Sequence, residues 1–131
     1  NVETLHDPDF GASSHVAKVI LAVMRFDDRY RSAMNIRFSE EILRVLEALR
    51  FDVASFDRAD EPAEVKIREG SSLEWGTTDA MARHEGIPDA VFDRGGDGKE
   101  PIVRILGRNP AEVAEKVLRV SRALRKERRK L

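Results

Sequence analysis

The sequence contains no cysteine, which excludes disulfides, thiolate metal sites and thiol nucleophiles together. Aromatics are scarce, at 6% of 131 residues with one Trp and one Tyr. A base-stacking surface for nucleic acid has little to be built from. Net charge is also lacking: 23 Lys and Arg stand against 24 Asp and Glu, a balance of -1. No global field therefore draws nucleic acid or an anionic membrane. No apolar run approaches the ~20 residues of a membrane span, and the longest helical stripe is interrupted by Lys18 and Arg25. There is no signal-peptide pattern of basic start, apolar middle and small-residue cleavage site. A cytoplasmic protein is the expectation. The chain opens at Asn1 without a methionine, and is expected to be a piece of a longer protein.

The rest of the composition is that of a soluble globule, 41% apolar and 36% charged, of a length that suits one compact domain. Apolar residues at Val16, Val19, Ile20, Val23 and Met24 follow helical spacing, with Ser13 or Ser14 as N-cap and His15 in the first turn. Ser39 opens a second helix, with Glu40 and Glu41 favourably set against its dipole and a stripe of Ile42, Val45, Leu46 and Leu49. Residues 51 to 56 alternate as a strand. Pro62 starts a short helix that stops by Gly70, and another runs from about Thr78 to His84, closed by Gly86. Strands follow at Ala90 to Phe92 and Ile102 to Leu106, joined as a hairpin by a glycine-rich loop. Asn109 and Pro110 cap the last helix, whose stripe is Val113, Val117, Val120 and Leu124. The pattern predicts a single α/β domain over residues 1–131, with helices packed on a small mixed β-sheet.

Two segments carry chemistry on composition alone. Residues 69 to 78, Glu-Gly-Ser-Ser-Leu-Glu-Trp-Gly-Thr-Thr, combine two glycines, four hydroxyls and the single tryptophan. Small residues let backbone approach an anion, and the amides and hydroxyls can hold phosphate oxygens. The same stretch also reads as a turn and helix cap with Trp75 in the core. The loop from Asp93 to Glu100 fails as a P-loop, because Glu100 follows Lys99 where Ser or Thr is needed. It fails as an EF-hand, because Gly95 and Arg104 stand at its third and twelfth positions. What remains is a loop presenting Arg94 and Lys99 to a diphosphate, or a plain hairpin loop. His6, His15 and His84 show no metal spacing. The basic run from Arg119 to Lys130 reads as a solvated helix end, or as a phosphate-contacting surface for nucleic acid.

Taken in order, Gly11-Ala12-Ser13-Ser14-His15, Ala33-Met34-Asn35-Ile36-Arg37-Phe38-Ser39-Glu40-Glu41, Ser55-Phe56-Asp57-Arg58, Glu69 to Thr77, Phe92-Asp93-Arg94-Gly95 and Gly98-Lys99-Glu100-Pro101 resemble the ThiN family over about residues 11 to 117. The resemblance implies a thiamine-phosphate synthase of the archaeal type. Such an enzyme joins 4-amino-5-hydroxymethyl-2-methylpyrimidine diphosphate to 4-methyl-5-(2-phosphoethyl)thiazole, releasing pyrophosphate, with magnesium as the expected cofactor. In the family the domain occurs behind a pyrimidine kinase as a synthase, or behind a helix-turn-helix domain as the thiamine-sensing half of a repressor. The second setting is the alternative reading, a domain that holds thiamine phosphate without catalysis and without itself touching nucleic acid.

His15 matches the family's active-site histidine. Ser13, Ser14, Asn35, Arg37, Arg58, Ser71, Ser72, Arg94 and Lys99 are the expected contacts to pyrimidine and phosphate. One departure stands out: the family has a required arginine upstream of the Gly-Ala-Ser-Ser-His run, whereas the first arginine here is Arg25. The expected partners are small-molecule phosphates, a kinase or helix-turn-helix domain in the parent chain, and a second copy in a homodimer.

Overall fold

The computed structural model describes residues 12–67, 72–96 and 98–130. The chain runs α1 (Ala12–Met24), β1 (Ser32–Arg37), α2 (Glu40–Ala48), β2 (Val53–Ser55), a 3-10 turn (Arg58–Asp60), α3 (Ala63–Ile67), α4 (Ser72–Ala82), β3 (Ala90–Asp93), β4 (Ile102–Gly107) and α5 (Pro110–Arg129). The strands form one mixed sheet in the order β1-β4-β3-β2. β4 pairs antiparallel with both β1 and β3, and β2 pairs parallel with β3. The α/β architecture is thus the one the periodicities predict, and the β3–β4 hairpin forms as expected.

Strand alternation sorts the side chains onto two faces. Ile36, Val103, Ile105 and Ala90 point to one face and pack with Ile42, Val45 and Leu46 of α2 and Val113, Val117, Val120 and Leu124 of α5. Val91 and Leu106 point to the other and pack with Val19 and Val23 of α1, Ala80 and Met81 of α4, and Phe56. Burial of each such aliphatic side chain contributes about 1.5–3 kcal/mol, so both layers are needed to hold the sheet.

The predicted caps of α2 and α5 are present. Ser39 accepts from the Ile42 N–H at 3.0 Å, and Asn109 accepts from the Glu112 N–H at 2.8 Å with Pro110 at the first position. α2 ends in a left-handed residue that is not glycine. Arg50 has φ 61°, and the Phe51 N–H reaches back to the Leu46 carbonyl at 3.0 Å, the closure of a Schellman motif. Arg50→Gly is therefore expected to stabilise the domain by about 0.5–1 kcal/mol, because glycine adopts this conformation without a Cβ clash. Chemical denaturation checks this, and a lowered midpoint would show that the Arg50 side chain contributes more than its strain costs.

Four expectations are corrected. β1 was not anticipated between Met24 and Ser39: its six residues, Ser-Ala-Met-Asn-Ile-Arg, show no clean alternation because both of its faces are covered. α4 begins at Ser72, not Thr78, so most of the glycine- and hydroxyl-rich stretch is helix and not an open loop. Gly76 is tolerated inside it because Phe56 lies flush against its backbone, where any Cβ would enter the ring. α1 begins at Ala12, so Ser13 and Ser14 are already helical and neither is its N-cap. β2 is shorter than predicted, three residues within the 51 to 56 run.

Candidate functional site

The polar residues of interest gather on the α1/α4 face. Register sets Asn35 of β1 opposite Arg104 of β4, and Arg104 opposite Val91 of β3. One row further along are Arg37, Ile102 and Asp93. An amide and a guanidinium thus stand on the face where Val91 and Leu106 pack against α1 and α4.

Asp93 is fully buried and is the hub. Its Oδ2 accepts from Arg58 Nε at 2.8 Å and from the Gly95 backbone N–H at 2.9 Å. Its Oδ1 lies 2.8 Å from Arg104 Nη2, an ion-pair distance without hydrogen-bond alignment. The Phe56 ring lies beneath both cations, with Arg58 and Arg104 Cζ at 5.7 and 5.3 Å from its centroid. Phe56 is in turn met edge-on by Trp75. Burial pulls the Arg104 guanidinium below its ordinary pKa, and the Asp93 carboxylate opposes that pull. A guanidinium keeps its proton at neutral pH in such surroundings. Two cations and one anion leave one uncompensated positive charge in the interior.

That charge is accompanied by unused hydrogen-bonding capacity. Arg58 Nη1, Arg104 Nη1 and Asn35 Oδ1 are closed to solvent and lack a partner, as are the hydroxyls of Thr77 and Thr78 in α4. Each such group costs about 1–3 kcal/mol while unsatisfied. A second node adjoins the first. Lys99 Nζ donates to Ser72 Oγ at 3.2 Å, and that hydroxyl donates to a Glu61 carboxylate oxygen. Glu61 follows directly on the turn that carries Arg58. Lys99 is hydrogen-bonded through its backbone to Gly96, in the loop that Gly95, Gly96 and Gly98 allow by their positive φ.

Of the residues expected from sequence, the fold brings Asn35, Arg58, Ser72 and Lys99 to these two nodes. Arg37 is exposed at the end of β1. Arg94 goes to the α2 side of the sheet. There it pairs with Glu40 at 2.6 Å and lies over Phe38 and Phe92, 5.2 and 5.7 Å from their centroids. The pair raises the Arg94 pKa and lowers that of Glu40. His15 is exposed on the fourth residue of α1, without a hydrogen bond or ion pair among the described residues. The side chains of Ser13 and Ser14, and all of Ser71, lie outside the described residues. Asp93, Arg104 and Glu61 are the site residues that sequence reasoning missed. The available signal was Arg104 itself, a charge in the middle of the apolar strand Ile-Val-Arg-Ile-Leu.

A family model described as thiamine-phosphate synthase ThiN matches residues 1–119. The chain belongs to the ThiN family. Among curated relatives, the bifunctional thiamine biosynthesis protein ThiDN of Methanocaldococcus jannaschii is 45% identical over 111 residues, covering 85% of this chain and 25% of that protein. The thiamine-phosphate synthase ThiN of Methanothermobacter thermautotrophicus is 41% identical over 116 residues, covering 88% of this chain and 61% of that protein. Among solved structures, the C-terminal domain of phosphomethylpyrimidine kinase superposes with a TM-score of 0.76 at 43% identity, over 86% of this chain and 63% of that one. This ThiN chain thus spans about a quarter to three fifths of the length of the relatives it matches. No helix among its described residues is long and apolar enough to cross a membrane.

Proposed function

We propose that this chain is a thiamine-phosphate synthase domain, joining 4-amino-5-hydroxymethyl-2-methylpyrimidine diphosphate to 4-methyl-5-(2-phosphoethyl)thiazole with release of pyrophosphate. The observation that carries the reading is the Arg58–Asp93–Arg104 set, which holds an excess buried cation and unpartnered guanidinium N–H groups. In the reaction the thiazole nitrogen lone pair forms a bond to the pyrimidine methylene carbon. The bond from that carbon to the diphosphate oxygen breaks, and its electron pair leaves with pyrophosphate. No proton is transferred, so the protein's task is to position two rings and to stabilise charge on the leaving group. Arg58 Nη1 and Lys99 are the groups that face the diphosphate, with Ser72 handing over its hydrogen bond from Lys99 as phosphate arrives.

Magnesium belongs to this proposal as a companion of the substrate. Among the described residues no group of three or more histidines and acids stands together to hold a metal, and Asp93 is already engaged by two guanidiniums. The described donors do not fit a resident cation, and magnesium would enter with the diphosphate. By analogy with the bifunctional relative and with the kinase whose C-terminal domain this chain resembles, the parent protein would carry a kinase that supplies the pyrimidine diphosphate.

The test is turnover: the chain, both substrates and magnesium, with thiamine phosphate read as thiochrome fluorescence. Absence of product, with thiamine phosphate still raising the melting temperature, would replace this reading with the sensing domain of a repressor. His15→Ala is expected to lower turnover at least about tenfold, through loss of a group that positions substrate or stabilises charge, while shifting the melting temperature little. An equal loss of stability would make His15 structural.

A further inference from the structure

The donors and acceptors left unused on the sheet form a pattern. Asn35 and Arg104 are cross-strand neighbours, and the side chains of such a pair stand side by side on one face. Asn35 is 9% exposed and Arg104 2%. Asn35 leaves an acceptor unused, Oδ1, and Arg104 leaves a donor, Nη1. The complementary ligand presents a hydrogen-bond donor and an acceptor on adjacent atoms of a flat edge. An amino group beside an unprotonated ring nitrogen has that arrangement.

We propose that Asn35 and Arg104 read the aminopyrimidine edge of the substrate, Asn35 Oδ1 accepting from the 4-amino group and Arg104 Nη1 donating to the adjacent ring nitrogen. The assignment rests on the synthase reading and adds to it a specificity determinant. It also orients the substrate. The pyrimidine lies at the deep end, against the sheet between β1 and β4, and the diphosphate lies at the shallow end, against Arg58 and Lys99. Arg58 keeps 12% of its side chain exposed against 2% for Arg104, as that orientation requires. The buried amide and guanidinium sit where an apolar ring would leave them unpaired, so a pyrimidine lacking the amino group forfeits a hydrogen bond that the protein has already desolvated. Both atoms are closed to solvent in the free chain, so the ring reaches them as the helices covering this face give way.

The experiment is calorimetric binding of 4-amino-5-hydroxymethyl-2-methylpyrimidine monophosphate and of its 4-desamino analogue, to the unaltered chain and to Asn35→Ala. The unaltered chain is expected to bind the amino compound at least tenfold more tightly. Asn35→Ala is expected to bring the two affinities within threefold of each other by weakening only the amino compound. Equal affinities in the unaltered chain, or a preference that survives Asn35→Ala, would overturn the assignment. Asn35→Leu, close in volume, serves if the alanine variant does not fold. If neither folds, equal affinities in the unaltered chain still overturn the assignment, and Arg104→Lys takes the place of the Asn35 variants. Turnover measured in parallel separates the two proposals. Preference without turnover removes the synthase and keeps the aminopyrimidine contact, whereas turnover without preference does the reverse.

Discussion

Asp93→Ala is expected to lower the stability of the domain by about 3–5 kcal/mol, the cost of removing one partner from a buried ion cluster. The reason is local. Asp93 is the sole carboxylate hydrogen-bonded or ion-paired to Arg58 and Arg104 among the described residues, and its own exposure is 0%. Without it two guanidiniums share the interior with no anion, and the Gly95 N–H loses its acceptor. Domains of this size have only about 5–15 kcal/mol in total, so the variant should populate unfolded chain at modest denaturant. Chemical denaturation reads the loss. The double variant Asp93→Ala, Arg104→Met should recover part of it, since it removes one of the stranded charges. A loss below about 1 kcal/mol would show that water reaches the guanidiniums and screens them.

Arg58→Met is expected to do the opposite, sparing the fold and stopping the chemistry. Removing this cation leaves Asp93 and Arg104 as a neutral pair, so stability should stay within about 1 kcal/mol of the parent. The excess positive charge disappears with it, together with the buried, unpartnered Nη1 donor proposed to serve the leaving group. Loss of one preorganised donor to a developing anion lowers turnover by about 10²–10³. Thiochrome-monitored turnover and calorimetry on the same sample give both quantities, and inorganic pyrophosphate should bind more weakly to the variant. A variant with unchanged turnover would take the diphosphate away from Arg58.

The helices were the most legible part of the fold, because their signals are local. Ser39 and the Asn109-Pro110 pair announce their helices within a few residues, and the stripes behind them match the buried sets. β1 was not legible, since both of its faces are covered and the neighbours Asn35 and Ile36 are both buried. α4 was hidden by Gly76, whose place in a helix depends on the Phe56 ring some twenty residues earlier. The candidate site was legible as residue types, with Arg58, Ser72 and Lys99 named from motif chemistry. What no local pattern could give was their counter-ion. Asp93 was read as the first residue of a glycine-rich loop, and only the pairing of β3 with β4 places it between Arg58 and Arg104. Arg94, its neighbour in the same loop, belongs to the opposite face by the same alternation.

The sheet keeps its two faces apart in character: α2 and α5 close over an aliphatic layer, whereas α1 and α4 cover the layer that includes Asn35, Asp93 and Arg104. Changes on the first face therefore need not disturb the polar residues of the second. A substitution such as Arg50→Gly can supply a reserve of folding free energy without altering any atom near the guanidiniums. With that reserve, the α1/α4 layer can accumulate otherwise damaging replacements and still fold. A lineage could exchange catalysis for mere recognition on this face while the opposite face holds the architecture constant.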